Sequence, residues 1–362
     1  MTTIIFYTLA SILIILNLLP IVPNQHWAFR AWDFGRIQLL ILELLVSIFG
    51  WALISDADTV FYIIQALIIL VIVQNMWLLF PYTPLYNKKS RSKTENSSKL
   101  MSILSVNVYQ FNTDYHLLIN LIAEQKPDIV FTVESNSDWE KQLCVIENDY
   151  PYHHKHTLEN TYGMHFYSKH EIVNAKTHTF VSDDIPSFEI DLKLKDDTDF
   201  TFFGVHPPPP SPSEEQTSKE RDGDLLSVAK RIDKLDQPII VAGDFNNVAW
   251  ARSSKLFHRT SGLIDPRLGY GLVSTFHAKY KFLRVPIDLL FHSSHIYIED
   301  FKRLSAIGSD HFPMFCSFYI DKISHSQEDE IEEKEPGDKE DVEEKIEAGK
   351  KENGDRHIVA SE

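Results

Sequence analysis

Five short runs set polar or charged residues at the ends of apolar stretches. They are Ser105-Val106-Asn107-Val108, Val133-Glu134-Ser135, Gly204-Val205-His206-Pro207-Pro208, Val241-Ala242-Gly243-Asp244-Phe245-Asn246 and Gly308-Ser309-Asp310-His311-Phe312-Pro313. A sixth, Val285-Pro286-Ile287-Asp288, sets its acid 22 residues before Asp310. In most of them the polar residue follows or ends an apolar strand, which puts it at a sheet edge, where clefts form in layered α/β structures. Four acids, two Asn and two His would converge there. Such a set suits hydrolysis of a phosphate ester. Carboxylates bind a hard divalent cation through oxygen. The cation steadies charge on the phosphoryl oxygens, an Asp or His activates water, and Asn side chains orient it. With no Cys or clustered-His ligand set, Mg²⁺ or Mn²⁺ suits these carboxylates better than zinc.

In this order and spacing, the runs resemble the endonuclease/exonuclease/phosphatase superfamily, the four-layered α/β sandwich shared by DNase I, exonuclease III, sphingomyelinases and inositol-phosphate 5-phosphatases. The resemblance covers about Leu100 to Ile320. Within the superfamily the chain is most similar to the bacterial membrane-anchored, YafD-like proteins, through its His-Pro-Pro-Pro and Pro-Ile-Asp variants. The resemblance implies that Glu134 ligates the metal, with Asn107 beside it and Asp310 as a further acidic ligand or metal-water partner. It implies that His206 contacts the scissile phosphate or protonates the leaving oxygen, and that Asp244 handles the attacking water or the leaving group. Asn246 would hold phosphate and nucleophile in line, and Asp288 would orient His311 as an Asp-His pair. Which of Asp244 and His311 takes the proton stays open. Two departures bear on substrate preference: Val133 precedes Glu134 where Gln is usual, and Pro286 stands where an Arg often precedes the Asp.

The elements that would position these residues follow from apolar patterning. Met101 to Val108 and Pro127 to Val133 read as buried strands flanking an amphipathic helix at Tyr115 to Gln125. Further strands are expected at Thr161 to Ser168, Phe188 to Leu194, Asp199 to Val205, Pro238 to Ala242, Pro286 to His292 and Met314 to Ile320. Helices are expected at Glu214 to Leu235 and near Ala251 to Thr260. Many strands with interleaved helices indicate a layered α/β or α+β sandwich. Arg221, Lys230 and Arg231 read as a solvated helix face. The His-dense run Tyr152-His153-His154-Lys155-His156 reads as a solvated loop, since no second cluster completes a metal site.

Ahead of this body, residues 1–81 contain no Lys and one Glu. Thr3 to Val22, Ile37 to Ile54 and Val60 to Phe80 each have the roughly 18 to 21 residues a helix needs to cross a bilayer. The first lacks the basic flank and small-residue cleavage site of a signal peptide. Glu43, the one acid inside a span, is expected to pack between helices. Trp27, Trp32, Trp51, Trp77 and Tyr82 fit an interfacial belt. Arg30, Arg36 and the run Lys88-Lys89-Ser90-Arg91-Ser92-Lys93 share one side of a three-span layout, so the positive-inside rule places the C-terminal domain of this multi-pass protein in the cytoplasm, and the resemblance implies a bacterial inner membrane. Residues 82–99 read as a linker and 100–322 as the catalytic domain.

The chain of 362 residues is 44% hydrophobic and carries a formal charge of −16, which argues against bulk nucleic-acid wrapping. From Ser326 to Glu362 there are 15 acids and 6 bases, so the tail holds −9 of that charge and the rest −7. Residues 323–362 are therefore expected to be a disordered acidic tail. Cys144 and Cys316 read as two buried thiols. The function expected is a membrane-anchored, metal-dependent phosphoester hydrolase. Its partners are the lipid bilayer and a phosphoester substrate, nucleic acid or phospholipid or small ester, with no obligate protein partner evident. A nuclease should show a basic groove, yet no Lys/Arg-rich stretch follows the linker. An inactive scaffold would lack one of the eight site residues, and none is missing. A transporter subunit would carry paired intramembrane charges.

Overall fold

The computed structural model describes residues 1–86, 99–194, 198–324 and 326–352. The basic run at 88–93 and most of the expected linker lie outside them.

Among the described residues three helices are long and apolar enough to cross a membrane: α1 (Thr2–Leu18, continued by a 3₁₀ turn to Ile21), α3 (Arg36–Leu53) and α4 (Thr59–Leu79). A short helix, α2 (Trp27–Phe34), lies between the first two and was not expected. The bundle packs Phe6, Ala10, Phe61 and Ile68 at its centre. Lipid offers no hydrogen bonds, so polar side chains must find one another inside the bundle. Glu43 does so: Asn75 donates to it at 3.1 Å and Asn17 also donates to it, while Arg36 donates to Asn17 at 2.9 Å and to Asn75 at 3.2 Å. Of the aromatic residues near the span ends, Trp51 and Trp77 are exposed. Tyr82 instead stacks edge-on against Trp250 at 5.4 Å.

The body runs β1 (Met101–Asn107), α5 (Tyr115–Gln125), β2 (Ile129–Val133), α6 (Ser137–Leu143), β3 (Tyr152–His156), β4 (Met164–Ser168), β5 (Glu171–His178), β6 (Ser187–Lys193) and β7 (Asp199–Val205). It continues through α7 (Lys219–Ile232), β8 (Ile239–Asp244), α8 (Arg252–Ser261), β9 (Asp288–His292), β10 (Ile296–Arg303), β11 (Met314–Ile320) and α9 (Asp338–Lys351). One sheet has the order β10-β11-β1-β2-β4-β3 and the other β5-β6-β7-β8-β9. Each contains one parallel pair, β1 with β2 and β7 with β8, and is otherwise antiparallel.

The sheets face each other across Phe131, Phe166, Phe188, Phe202, Ile240 and Phe318. Helices α5 and α6 cover the outer face of the first through Leu118, Ile122 and Trp139. Helices α7 and α8 cover the second through Leu225, Val228 and Phe257. Burial on both faces is why β1, β2, β8 and β11 read as continuous apolar runs instead of alternating ones. The result is a four-layered α/β sandwich behind an apolar three-helix bundle.

Several expectations change. Residues Tyr152–His156 form an edge strand instead of a loop, pairing with β4 from Tyr152 opposite Ser168 to His156 opposite Met164. Cys144 is exposed and only Cys316 is buried. Within the expected disordered tail, α9 is ordered. Val342 and Ile346, one helical turn apart, are buried in the α7 and α8 cluster. Its acids are answered by cations of α7 and α8: Arg259 holds Asp338 at 2.7 and 2.8 Å, Lys230 meets Glu343 at 2.5 Å and Arg252 meets Asp341 at 3.2 Å. Averaged composition hid both the short apolar stripe and its complementary partners.

Candidate active site

The parallel pairs decide where the polar residues go. β1 and β2 run in register with Asn107 opposite Val133, and β7 and β8 with Val205 opposite Gly243. Asn107 therefore ends β1, Glu134 follows β2, His206 follows β7 and Asp244 ends β8, all at one edge of the two sheets. β9 returns antiparallel, so its first residue, Asp288, lies directly opposite Asp244. Asp310 and His311 enter on the loop before β11, and Asn246 sits two residues past Asp244. All eight residues singled out in the sequence meet at that edge.

The local backbone is adapted to this. Glu134, Tyr109 and Asn246 are non-glycine residues with φ of 60°, 57° and 48°. Such left-handed conformations cost about 1–3 kcal/mol each and collect at functional sites. Gly243 has φ of 149°, and a Cβ there would stand 2.0 Å from the Val205 carbonyl oxygen, so only glycine lets β8 approach β7 just before Asp244.

Hydrogen bonds tie the residues into one network. Asn107 Nδ2 donates to Glu134 Oε1 at 2.7 Å and to Asp244 Oδ2 at 3.2 Å. The Gln110 amide donates to the other Glu134 oxygen at 3.1 Å. His311 Nδ1 meets Asp288 Oδ2 at 2.8 Å, and its Nε2 faces Asp244 Oδ2 at 3.5 Å. His206 Nε2 lies 3.9 Å from that same Asp244 oxygen. The Asn246 amide donates to Asp244 Oδ1 at 2.9 Å, and its side chain donates to the Pro207 carbonyl at 2.9 Å, which gives the proline run its part in shaping the His206 loop.

Asp244, His206 and His311 are buried, and their charges respond to it. Burial pushes the Asp244 carboxyl up to about 7 against the pull of the neighbouring His311 charge. Burial works against a charged His311, yet Asp288 and Asp244 outweigh it and raise the imidazole to about 10. Burial and the His311 charge hold His206 down at about 3, so it is neutral. Glu134 is also pushed up by burial, although Asn107 and Gln110 favour its charged form.

Glu134, Asp244 and Asp310 line one cavity of about 980 Å³ with His206, Asn246 and His311. Among the described residues lining it there is no Lys or Arg. Converging carboxylates with no Lys or Arg among them fit a hard divalent ion. The tightest ligand group is Asp244, Asp288 and His311, whose donor atoms lie within 4.8 Å of one another. Asp288 engages Nδ1 of His311 and Asp244 faces its Nε2, an arrangement that suits acid–base chemistry as well as metal ligation. Glu134, held by Asn107, and Asp310 are further acids at the same cavity.

Several contributors were not singled out in the sequence. Ser309 Oγ donates to the Asn107 carbonyl at 2.8 Å and accepts from the His311 amide at 3.0 Å, joining the β1 end to the His311 loop. Its place in the Ser-Asp-His run was the available signal. Arg221, expected on a solvated face, is 1% exposed; it donates to the Asn246 carbonyl at 2.9 Å and pairs with Asp222. Arg231 pairs with Glu189 and Lys230 with Glu343, so neither faces the site. Rings of Phe276 and Tyr162 pack on His311 and His206 at 4.8 and 5.4 Å.

Comparison with known proteins gives the same frame. A sequence profile described as "Endonuclease/Exonuclease/phosphatase family" matches residues 104–311, more than half of the chain. No curated protein matches the sequence. The structure is similar to that of D. rerio TDP2 complexed with a single-strand DNA product, at TM-score 0.52 and 18% identity over 61% of this chain and 99% of that one. It is similar to the human Nocturnin catalytic domain with bound sulfate, at 0.50 and 15% over 60% and 94%. An endonuclease/exonuclease/phosphatase from Beutenbergia cavernae gives 0.51 and 14% over 62% and 72%. At these identities the likeness is one of fold.

Proposed function

The chain belongs to the endonuclease/exonuclease/phosphatase family, and from that premise we propose that it is a membrane-anchored, divalent-metal-dependent phosphoester hydrolase. Enzymes of this family are in general hydrolases of phosphoester bonds and typically depend on a divalent metal. The observation that carries the reading is the buried line Asp288–His311–Asp244, with Asp288 hydrogen-bonded to His311 and Asp244 3.5 Å from its other nitrogen, at the edge of a cavity that Glu134 and Asp310 also enter.

Mg²⁺ or Mn²⁺ held by Glu134, Asn107 and Asp310 would supply charge stabilisation for the phosphoryl oxygens. The remaining tasks fall to this chain's side chains. Asp244 is the base that receives the proton of the attacking water, because His311 already carries its proton. Asp288 keeps that imidazolium charged and aimed, so that it can answer negative charge developing opposite Asp244. Neutral His206 suits contact with the scissile phosphate better than proton delivery. Asn246, fixed by Arg221 and Pro207, keeps phosphate and water in line.

The anchor is the three apolar helices, with the lipid bilayer as partner, and the positive-inside rule supports a cytoplasmic catalytic domain. A nuclease reading is favoured by the DNA product bound to the D. rerio neighbour. It is opposed by the lack of Lys and Arg among the described residues lining the cavity, since nucleic acid is held mainly through those side chains. The test is turnover by the full chain with Mg²⁺ against single-stranded DNA, a phospholipid panel and a bis-phosphoester, with Asp244→Ala and His311→Ala as controls. Hydrolysis lost in both controls supports the reading; inactivity on every ester with no Mg²⁺ binding by calorimetry leaves the inactive scaffold.

A further inference from the structure

Before the strand that carries Asp288, the sequence reads Lys279-Tyr280-Lys281-Phe282-Leu283-Arg284, cations alternating with large apolar side chains. In a water-exposed loop this pattern is costly, whereas at a bilayer surface aromatic rings and aliphatic groups enter the interface while Lys and Arg meet anionic head groups. Tyr280, Phe282 and Leu283 are 59%, 91% and 64% exposed. Their position agrees with such a surface. Gln38, in the first turn of the span α3, donates to the Phe282 carbonyl at 2.8 Å.

The catalytic cavity opens toward the same place. Ala31 and Phe34 of α2 and Gln38 of α3 form part of its wall, and Leu283 lines it from the exposed loop. The body is seated firmly enough on the membrane helices to keep that wall in place. Trp250 Nε1 donates to the Asp33 carbonyl at 2.8 Å, the Gly269 amide to the Pro81 carbonyl at 2.9 Å, and Leu79 packs with Val248 and Ile287. Thus Asp244 and His311 make one part of the cavity polar, while Ala31 and Phe34 of α2 and Leu283 of the loop give it an apolar wall beside Gln38, at the start of the span α3. At about 980 Å³ it is near the top of the roughly 300–1,000 Å³ range of small-molecule sites, far more than a phosphate needs.

Resting on the phosphoester-hydrolase reading, we infer that the substrate is a membrane amphiphile: a phosphoester whose hydrocarbon chains stay in the bilayer while its head group passes between Phe34 and Leu283 to reach Asp244 and His311. The reaction consumes one water. Its oxygen bonds to phosphorus, the ester P–O bond breaks, and the leaving oxygen ends with the proton that water gave up. The hydrocarbon part stays in the membrane and the polar part departs to solvent. Such a substrate also fits a cavity whose described lining has no Lys or Arg: one phosphate, unlike a polyanion, would be balanced by a single divalent cation.

The test uses the full chain in phosphatidylethanolamine vesicles, with Mg²⁺, on dioleoyl and dibutanoyl forms of phosphatidic acid and phosphatidylglycerol, an oligonucleotide and bis(4-nitrophenyl) phosphate. The dioleoyl ester should exceed its dibutanoyl match in kcat/KM by about tenfold or more. Phe282→Asp should cut the ratio of dioleoyl to bis(4-nitrophenyl) phosphate turnover by a similar factor. Equal turnover of both chain lengths, or turnover of the soluble ester or oligonucleotide alone, overturns this inference and leaves the hydrolase reading standing. No turnover of any ester overturns both. Phosphatidic acid with a diazirine in its chain, photolysed in the same vesicles, should mark Phe34 or residues 280–283. Adducts confined to the outer faces of α1 and α4 count against entry by this route.

Discussion

Asp288 Oδ2 lies 2.8 Å from Nδ1 of His311, and the two side chains are 5% exposed or less, although 23 residues separate them in the chain. A buried carboxylate in this position fixes which imidazole nitrogen faces the cavity and favours its charged form. Asp288→Asn keeps the shape and removes the charge. Its kcat should fall by about 10²–10⁴-fold with KM little changed, measured by steady-state hydrolysis at saturating Mg²⁺.

Glu134 is the acid on which metal binding should turn. Glu134→Gln retains the hydrogen bond from Asn107 yet removes the charge, so calorimetric affinity for Mg²⁺ and Mn²⁺ should weaken at least about tenfold. Chelation of the wild-type protein should abolish turnover, and either ion should restore it. Unaltered metal affinity in the Gln variant would move the ligand set to Asp244 and Asp310.

Arg221 makes a pair with Asp222 inside the protein and holds the Asn246 carbonyl. Arg221→Met strands a buried carboxylate, for which about 3–5 kcal/mol of stability is the usual loss. Denaturant unfolding in detergent checks this. Loss of kcat beyond that of a stability-matched core variant would identify Arg221 as a positioning residue for Asn246.

Glu189 supplies a pH test away from the site. Arg231 donates to it twice at 2.7 Å and His178 lies at 2.9 Å, and these bonds outweigh its burial to hold the carboxyl down at about 2. Its folded value lies below the ordinary 4.5, so the stabilisation is complete above pH 4.5 and is lost as pH falls toward 2. Thermal unfolding followed between those values should show a smaller pH slope in Glu189→Gln than in the wild type. Equal slopes would remove Glu189 as the linked group.

Helix α9 should act as part of the body. Ile346 is 5% exposed against α7, and Ile346→Ala should cost about 2–4 kcal/mol by unfolding. A solvated tail predicts no change.

Much of this was legible in the sequence because it depends on local pattern. Three apolar stretches of membrane-crossing length read as helices, and α5 and β11 fall where periodicity put them, at Tyr115–Gln125 and Met314–Ile320. Polar residues ending apolar strands marked the site edge, since a strand buried on both faces has no other use for a terminal Asp or Asn. What the pattern lacked was partnership. Arg221 looked solvated because a helix surface shows its charge but not the Asp222 and Asn246 carbonyl that bury it. Composition made residues 323–362 appear unable to fold, yet Val342 and Ile346 need only one neighbouring groove and cations at matching positions on α7 and α8.

The amino-acid sequence by itself determined which groups the chain could bring to a phosphate and that its N-terminal helices suit a bilayer. Only the tertiary structure decided how they meet. Parallel pairing of β1 with β2 and of β7 with β8, with β11 returning antiparallel beside β1 and β9 beside β8, brings residues from 107 to 311 to one edge. The docking of Trp250 and Ile287 on α2, α3 and α4 then makes Phe34 and Gln38 part of the same cavity. Contacts so distant in sequence arise from packing of whole layers, and no local propensity records them.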